Sequence, residues 1–253
     1  MLSPALRSPL NLPALRWLVF YALILAAWVM LFAALAGPEA ALARAMGQPL
    51  WLAICRAGVE NAGYWPAVAM WALMGAAMMA PTLVPALRTY DDLRHTAAVP
   101  RGGFWALVGG YLAVWLGFAL VAAGLQLALA GLGGQAMLWG TPLLLALAGL
   151  YQFSPIKEGC LSKCRAPLTF FMGAWQPGLT GAARMGLRLG AICLGCCWAL
   201  MALGLIGGAM SLIWMGLATL LMTLEKLPQI GRRITIPLGL ALLAGAGFTA
   251  IGG

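Results

Sequence analysis

The hydrophobic positions along the chain form long apolar runs that are bounded by charged residues, proline or glycine. Most runs are close to the ~20 residues that an α-helix needs to cross the hydrocarbon core of a bilayer. The pattern therefore predicts an all-α fold, a polytopic membrane helix bundle with about seven transmembrane helices. The predicted spans are residues 17–36, 64–87, 104–130, 137–153, 189–206, 209–224 and 234–251.

One further apolar stretch is too short to cross a bilayer. Residues 166–175, "APLTFFMGAW", are apolar and aromatic and follow a polar segment. A run of this length suits a helix that lies in the membrane interface or enters the membrane only partway. We expect a short interfacial or re-entrant helix here.

Glycines recur at regular intervals in two sets, the first spaced by seven residues and the second by four. Small residues on one face of a helix let two backbones approach closely, which supplies packing energy in lipid. We therefore expect helix–helix contacts at Gly110, Gly117, Gly124 and Gly131, and at Gly186 and Gly190.

Composition excludes an ordinary soluble domain, because 63% of the 253 residues are hydrophobic and only 8% are charged. The chain is predicted to be a single integral membrane domain, residues 1–253, in contact with membrane lipids. Its net charge of +9 would suggest nucleic acid in a soluble protein. Here the basic residues stand between apolar runs, where they set topology and meet lipid headgroups, so no nucleic-acid partner is expected.

The basic residues also predict an orientation. If the N-terminus is cytoplasmic, all of the 15 Lys and Arg residues except Arg44 and Arg56 fall on the cytoplasmic side. Cytoplasmic loops of membrane proteins carry an excess of Lys and Arg. The N-terminus and the segment 154–188 are therefore predicted to be cytoplasmic.

Five of the six cysteines form two clusters. Cys160 and Cys164 are four residues apart in the cytoplasmic segment, so on a helix both thiols face the same way. Cys193, Cys196 and Cys197 share one helical stripe a short distance below the predicted cytoplasmic interface. A single site that draws on both clusters is geometrically possible, and Cys55 is left over as a packing residue.

Thiolates select soft metal ions, above all Cu(I), and bind Zn(II) when four sulfurs are arranged tetrahedrally. The sequence therefore predicts a metal site made of Cys160, Cys164, Cys193, Cys196 and Cys197, with Cu(I) or Zn(II) as its ion. Met201, one turn beyond Cys197, and Met74 and Met78 are possible secondary ligands. Nearby cations are expected to favour the thiolates: Lys157, Lys163, Arg165, Arg184 and Arg188.

The predicted function is soft-metal binding for metal transfer, for transport, or for assembly of a membrane metalloenzyme. Two alternatives stay open. One is an accessory subunit of a larger membrane complex with a structural zinc site, and the other is a membrane thiol–quinone oxidoreductase. The residues offer no nucleophile with a positioned base and no phosphate-binding loop, and the chain has one histidine, so an enzyme is not the favoured interpretation.

Four motifs occur in an order that is similar to a known family: "MGAAMMAP" (74–81), "GLYQFSPIKEGCLSKCRAP" (149–167), "GCCWALM" (195–201), and "WM" followed by "LEK" (214–226). Over about residues 64–245 the chain resembles the bacterial family called domain of unknown function 2182, predicted metal-binding integral membrane proteins. The resemblance implies a metal site at the five clustered cysteines and a location in the bacterial inner membrane.

Overall fold

The computed structural model describes residues 12–35, 63–93, 100–130, 134–205 and 212–251. The regular structure within these ranges is helical, as the apolar pattern predicted. In chain order the helices are α1 (Leu12–Leu35), α2 (Tyr64–Asp92), α3 (Gly103–Ala130), α4 (Gly134–Gln152), α5 (Pro155–Arg165), α6 (Pro167–Ala174), α7 (Gly178–Ala202), α8 (Leu212–Glu225) and α9 (Gly231–Ile251), and a 3-10 turn, Leu203–Leu205, follows α7.

Within the described residues, five helices are long and apolar enough to cross a membrane: α1, α2, α3, α7 and α9. The predicted spans 137–153 and 209–224 correspond to α4, which has 19 residues, and to the shorter α8. These helices indicate a membrane protein. The count of seven spans and the cytoplasmic N-terminus stay predictions.

Helix α7 begins earlier than the sequence pattern predicts. Arg184 and Arg188 place the predicted start at residue 189, whereas the helix begins at Gly178. Both arginines lie on an exposed face of the helix, so their charges do not end it. The other face of the same turns is buried against the core and consists of Gly181, Ala182, Met185 and Gly186.

Helices α3 and α7 form the most extensive helix pair of the core. A Cβ atom on Gly110 would lie 2.1 Å from the carbonyl oxygen of Ala183, and one on Gly186 would lie 2.1 Å from that of Leu107. Only glycine allows this separation of the two backbones. The expected close contact is confirmed at Gly110 and Gly186.

The expectation holds for only some of the other glycines. A Cβ on Gly190 would lie 2.9 Å from a carbonyl oxygen of α3, which confirms a close contact there. Gly117 lies on an exposed part of α3, and no described residue comes within 4 Å of a Cβ placed there, so the prediction is wrong at this position. A Cβ on the exposed Gly124 would lie 3.9 Å from the ring of Tyr64 in α2, which is an ordinary van der Waals distance. A regular spacing identifies a face of the helix, but packing decides how much of that face meets a neighbour. Gly131 lies outside the described residues.

Replacing Gly110 or Gly186 with alanine is expected to destabilise the fold by about 1–3 kcal/mol, because the added methyl group meets backbone that no side-chain rotation can move. Thermal unfolding of the purified protein measures this effect. Gly117→Ala is the matched control on the same helix, and we expect it to be neutral or stabilising by up to about 1 kcal/mol. Equal melting temperatures for Gly110→Ala and Gly117→Ala would contradict the prediction.

Helix α2 carries Pro81 and Pro85 in its interior. Proline has no N–H to donate, so Pro81 leaves the carbonyl oxygen of Ala77 without its helical partner. Trp28 of α1 donates its indole N–H to this oxygen over 3.1 Å. The proline is tolerated because a neighbouring helix satisfies the freed carbonyl group.

Helices α5 and α6 connect α4 to α7. The Oγ of Ser154 accepts a hydrogen bond from the backbone N–H of Ile156 over 3.2 Å, and Pro155 occupies the first turn, so the sequence itself starts α5. The predicted short helix at 166–175 is present as α6, where the fully buried Phe171 packs against the ring of Tyr90 in α2. Its interfacial or re-entrant position stays a prediction.

Candidate metal centre

Three cysteines of α7 form a buried sulfur cluster, called here the triad. Positions 193, 196 and 197 follow the helical period, and their side chains are only 1–2% exposed. The three sulfur atoms lie within 4.8 Å of one another, and those of Cys196 and Cys197 are 3.3 Å apart. The thiol of Cys196 also donates to the carbonyl oxygen of Cys193 over 3.1 Å. This separation lets one ion contact all three sulfurs after small side-chain rotations.

Cys193 has polar neighbours from three other parts of the chain. The ammonium group of Lys226, which directly follows α8, donates to the sulfur over 3.0 Å. The hydroxyl oxygen of Tyr111 in α3 lies 2.9 Å from the same sulfur. The ammonium group also donates to the hydroxyl of Thr82 in α2 over 2.7 Å. The sulfur of Cys193 therefore has a cation and two hydroxyl groups around it.

The nearby cysteine sulfurs stabilise the positive charge of Lys226. Burial alone would lower the pKa of this ammonium group, but its electrostatic interaction with the sulfur of Cys193 raises the pKa well above the ordinary value. The side chain is therefore a cation at neutral pH.

The half-buried cysteines of α5, called here the entry pair, lie directly beside the triad. The sulfur of Cys160 lies over Gly195 of α7. The side chain of Cys164 lies close to that of Cys196. Cys164 and Cys193 also line the same small cavity, which has a volume of about 20 Å³. The structure thus brings all five predicted cysteines to one place. Of these, only the three sulfurs of the triad lie within 4.8 Å of one another.

A buried ion pair fixes α5 in this position. The ammonium group of Lys157 donates to both carboxylate oxygens of Glu225 over 2.9 Å, and it also donates to Gln152. The guanidinium group of Arg165 donates to the backbone oxygen of Glu225 over 2.9 Å and pairs with Glu158 over 3.0 Å. Lys157 and Arg165 thus hold the end of α8, while Lys163 lines the small cavity together with Cys193. The expected effect of these cations on the thiolates stays a prediction.

The three predicted secondary ligands are buried in the core. Met201 continues the triad stripe of α7 by one turn. The terminal methyl group of Met74 would lie 3.6 Å from a Cβ on Gly204, which places it beside the 3-10 turn after α7. A ligand role for Met201, Met74 and Met78 stays a prediction. Cys55 lies outside the described residues.

Sequence reasoning missed three residues of this site. Thr82, Tyr111 and Lys226 come from three separate segments, and only packing brings them to Cys193. In the sequence Lys226 follows an apolar run and stands next to Glu225, a pattern that is typical of a charge pair at the membrane interface. Glu225 pairs with Lys157 instead.

Replacing Gly195 with alanine is expected to displace the sulfur of Cys160, because the new Cβ would lie 2.7 Å from it. The sulfur can rotate away, so stability should change by less than about 1 kcal/mol, while alkylation of Cys160 becomes faster. Mass spectrometry of thiol labelling measures the rate. Gly159→Ala is the control that should leave the rate unchanged, because no residue in the described part of the chain lies within 4 Å of the added Cβ. An unchanged rate in Gly195→Ala would contradict the contact.

Comparison with protein families gives a match over much of the chain. A family model described as PpoB2, copper chaperone, matches residues 68–249. The matched range includes the entry pair, the triad and the three methionines. It supports the expectation of a metal-binding family, under a different description from the family that the motifs resembled. Neither the curated proteins nor the solved structures contain a match.

Proposed function

Because the chain belongs to the PpoB2 copper chaperone family, we propose that it is a membrane copper chaperone that binds Cu(I) at its cysteines and hands it on. The acceptor is a membrane metalloenzyme under assembly, or the opposite side of the bilayer. The observation that carries this proposal is the triad, three buried sulfurs within 4.8 Å of one another in a helix long enough to cross a membrane.

The chemistry of the donors suits Cu(I) as cargo. Thiolate and thioether ligands favour soft ions, and the candidate ligands here are cysteines and buried methionines. Each thiol that becomes a ligand releases its proton, and copper stays in the Cu(I) state throughout. Binding and release are therefore ligand exchange, with no electron transfer.

The two cysteine clusters differ in exposure, and this difference supports a direction of transfer. The entry pair is half-buried and the triad is buried. Because Cys164 lies close to Cys196, an ion could be shared by both clusters before it moves into the triad. In this proposal Cu(I) arrives at Cys160 and Cys164 and is then held by the triad.

The proposed topology follows from the charge pattern. Seven spans with a cytoplasmic N-terminus put the entry pair on the cytoplasmic side. The membrane in question is the bacterial inner membrane. Uptake then occurs from the cytoplasm, where thiols are kept reduced.

A structural zinc site is the second candidate, because Cys164 and the triad together offer four sulfurs from two helices. In that case the protein would be an accessory subunit of a larger membrane complex, and the metal would pin α5 to α7. Its loss would unfold this segment, whereas loss of cargo copper would leave the fold intact.

Metal exchange separates the two functions. The protein is purified without oxygen, loaded with one stable copper isotope, and mixed with an excess of a second isotope in a Cu(I) buffer. A chaperone exchanges its copper within minutes, and replacing Cys160 and Cys164 with serine slows the exchange. Stoichiometric zinc that does not exchange within hours would contradict copper delivery and support the structural site.

A further inference from the structure

Lys226 is a buried cation at the triad that metal binding does not itself require. Its side chain is 9% exposed, and its ammonium nitrogen lies 3.0 Å from the sulfur of Cys193. Burying a charged group costs free energy unless the group is paired, and buried charges in membrane proteins commonly have a functional role.

The ammonium group is held in place by more than the sulfur. Thr82 accepts from it over 2.7 Å, and the Thr82 hydroxyl is itself fixed by donating to the carbonyl oxygen of Met79 over 2.7 Å. The adjacent Glu225 is tied to Lys157 of α5. The positive charge therefore stays beside the triad when the Cys193 sulfur turns toward an ion.

A bound ion feels this charge strongly. With a metal–sulfur bond of about 2.3 Å, an ion on Cys193 lies within roughly 5 Å of the ammonium nitrogen. The repulsion is proportional to the charge of the ion, so it is twice as large for Zn(II) as for Cu(I). At an effective dielectric constant of about 20, the extra charge weakens binding by about 200-fold. This difference between the repulsion of Zn(II) and that of Cu(I) does not depend on the number of thiolates that bind the ion.

We infer that Lys226 is a specificity-determining residue that makes the triad select monovalent Cu(I) over divalent Zn(II). The inference rests on the proposed function, since it concerns the same site. It assigns the discrimination against zinc to a fixed charge and not to the ligand set, because cysteine sulfurs bind both ions.

The test measures Cu(I) and Zn(II) affinities by chelator competition on the full-length protein, purified without oxygen in detergent. Lys226→Met is expected to lower the ratio of Cu(I) affinity to Zn(II) affinity by about 10-fold or more. Lys226→Arg keeps the charge and should keep the ratio within about 3-fold. Lys163→Met is the matched control, because Lys163 lines the same cavity but is exposed to solvent and screened.

Both affinities are measured on one sample, so an inactive fraction cancels in the ratio. If Lys226→Met does not fold, Lys226→Gln removes the charge and keeps a donor for Thr82. An unchanged ratio in the folded uncharged variant overturns the inference and leaves the proposed function standing, as does an equal fall in Lys163→Met. A wild-type protein that binds no Cu(I) overturns both.

Discussion

Replacing Cys193, Cys196 and Cys197 together with serine is expected to leave the protein without tightly bound copper. The wild-type protein should retain about one Cu(I) ion per chain, because its buried sulfurs are soft ligands. Serine keeps the size of each side chain but offers a hard hydroxyl oxygen that binds Cu(I) weakly. Elemental analysis after purification without oxygen measures the copper content of both proteins.

Two matched variants accompany this experiment. Cys55→Ser changes a cysteine outside both clusters and should keep the wild-type copper content. Replacing the entry pair, Cys160 and Cys164, should keep most of the copper at the triad but slow its loading. Equal copper contents in the wild-type protein and in the triad variant would contradict the assignment of the site.

Breaking the buried ion pair between Lys157 and Glu225 is expected to destabilise the protein by about 3–5 kcal/mol. Both side chains are 1% exposed. Lys157→Met leaves the carboxylate of Glu225 buried without its partner, which is the most costly outcome of such a change. Thermal or denaturant unfolding in detergent measures the loss.

The double variant Lys157→Met with Glu225→Leu should recover much of this loss, because no uncompensated charge is left. Arg232→Ala is the control: Arg232 pairs with Glu158 over 3.2 Å, but its side chain is 81% exposed. An exposed pair contributes at most about 1 kcal/mol, so this variant should stay close to the wild-type protein. A stable Lys157→Met variant, or a double variant no more stable than the single one, would contradict the role of the pair.

Features of the site that depend on local periodicity could be predicted from the sequence. The spacing of Cys193, Cys196 and Cys197 determines that they share a helical face, because the period of an α-helix is fixed by its backbone. The four-residue spacing of Cys160 and Cys164 likewise determines that both side chains lie on one face of α5. The pattern of basic residues placed both clusters toward one side of the membrane, and the structure brings them together.

Features that depend on packing between distant segments could not be predicted. Tyr111 lies in an apolar run and gives no signal of a polar role, yet its hydroxyl lies 2.9 Å from Cys193. Gly117 belongs to the same seven-residue series as Gly110, but no described residue lies within 4 Å of a Cβ placed there. Arg184 and Arg188 looked like a span boundary, although a helix continues past charges that stay on its exposed face. In each case the local pattern is compatible with several partners, and only the tertiary contacts select one.

X-ray absorption at the copper edge tests the central claim most directly, because it reports the atoms bound to the metal. The protein is loaded with Cu(I) without oxygen and measured beside the triad serine variant at the same copper concentration. A first shell of sulfur alone in the wild-type protein, lost in the variant, is the predicted result. A shell dominated by nitrogen or oxygen in the wild-type protein, or the same sulfur shell in both proteins, would contradict copper binding at the triad.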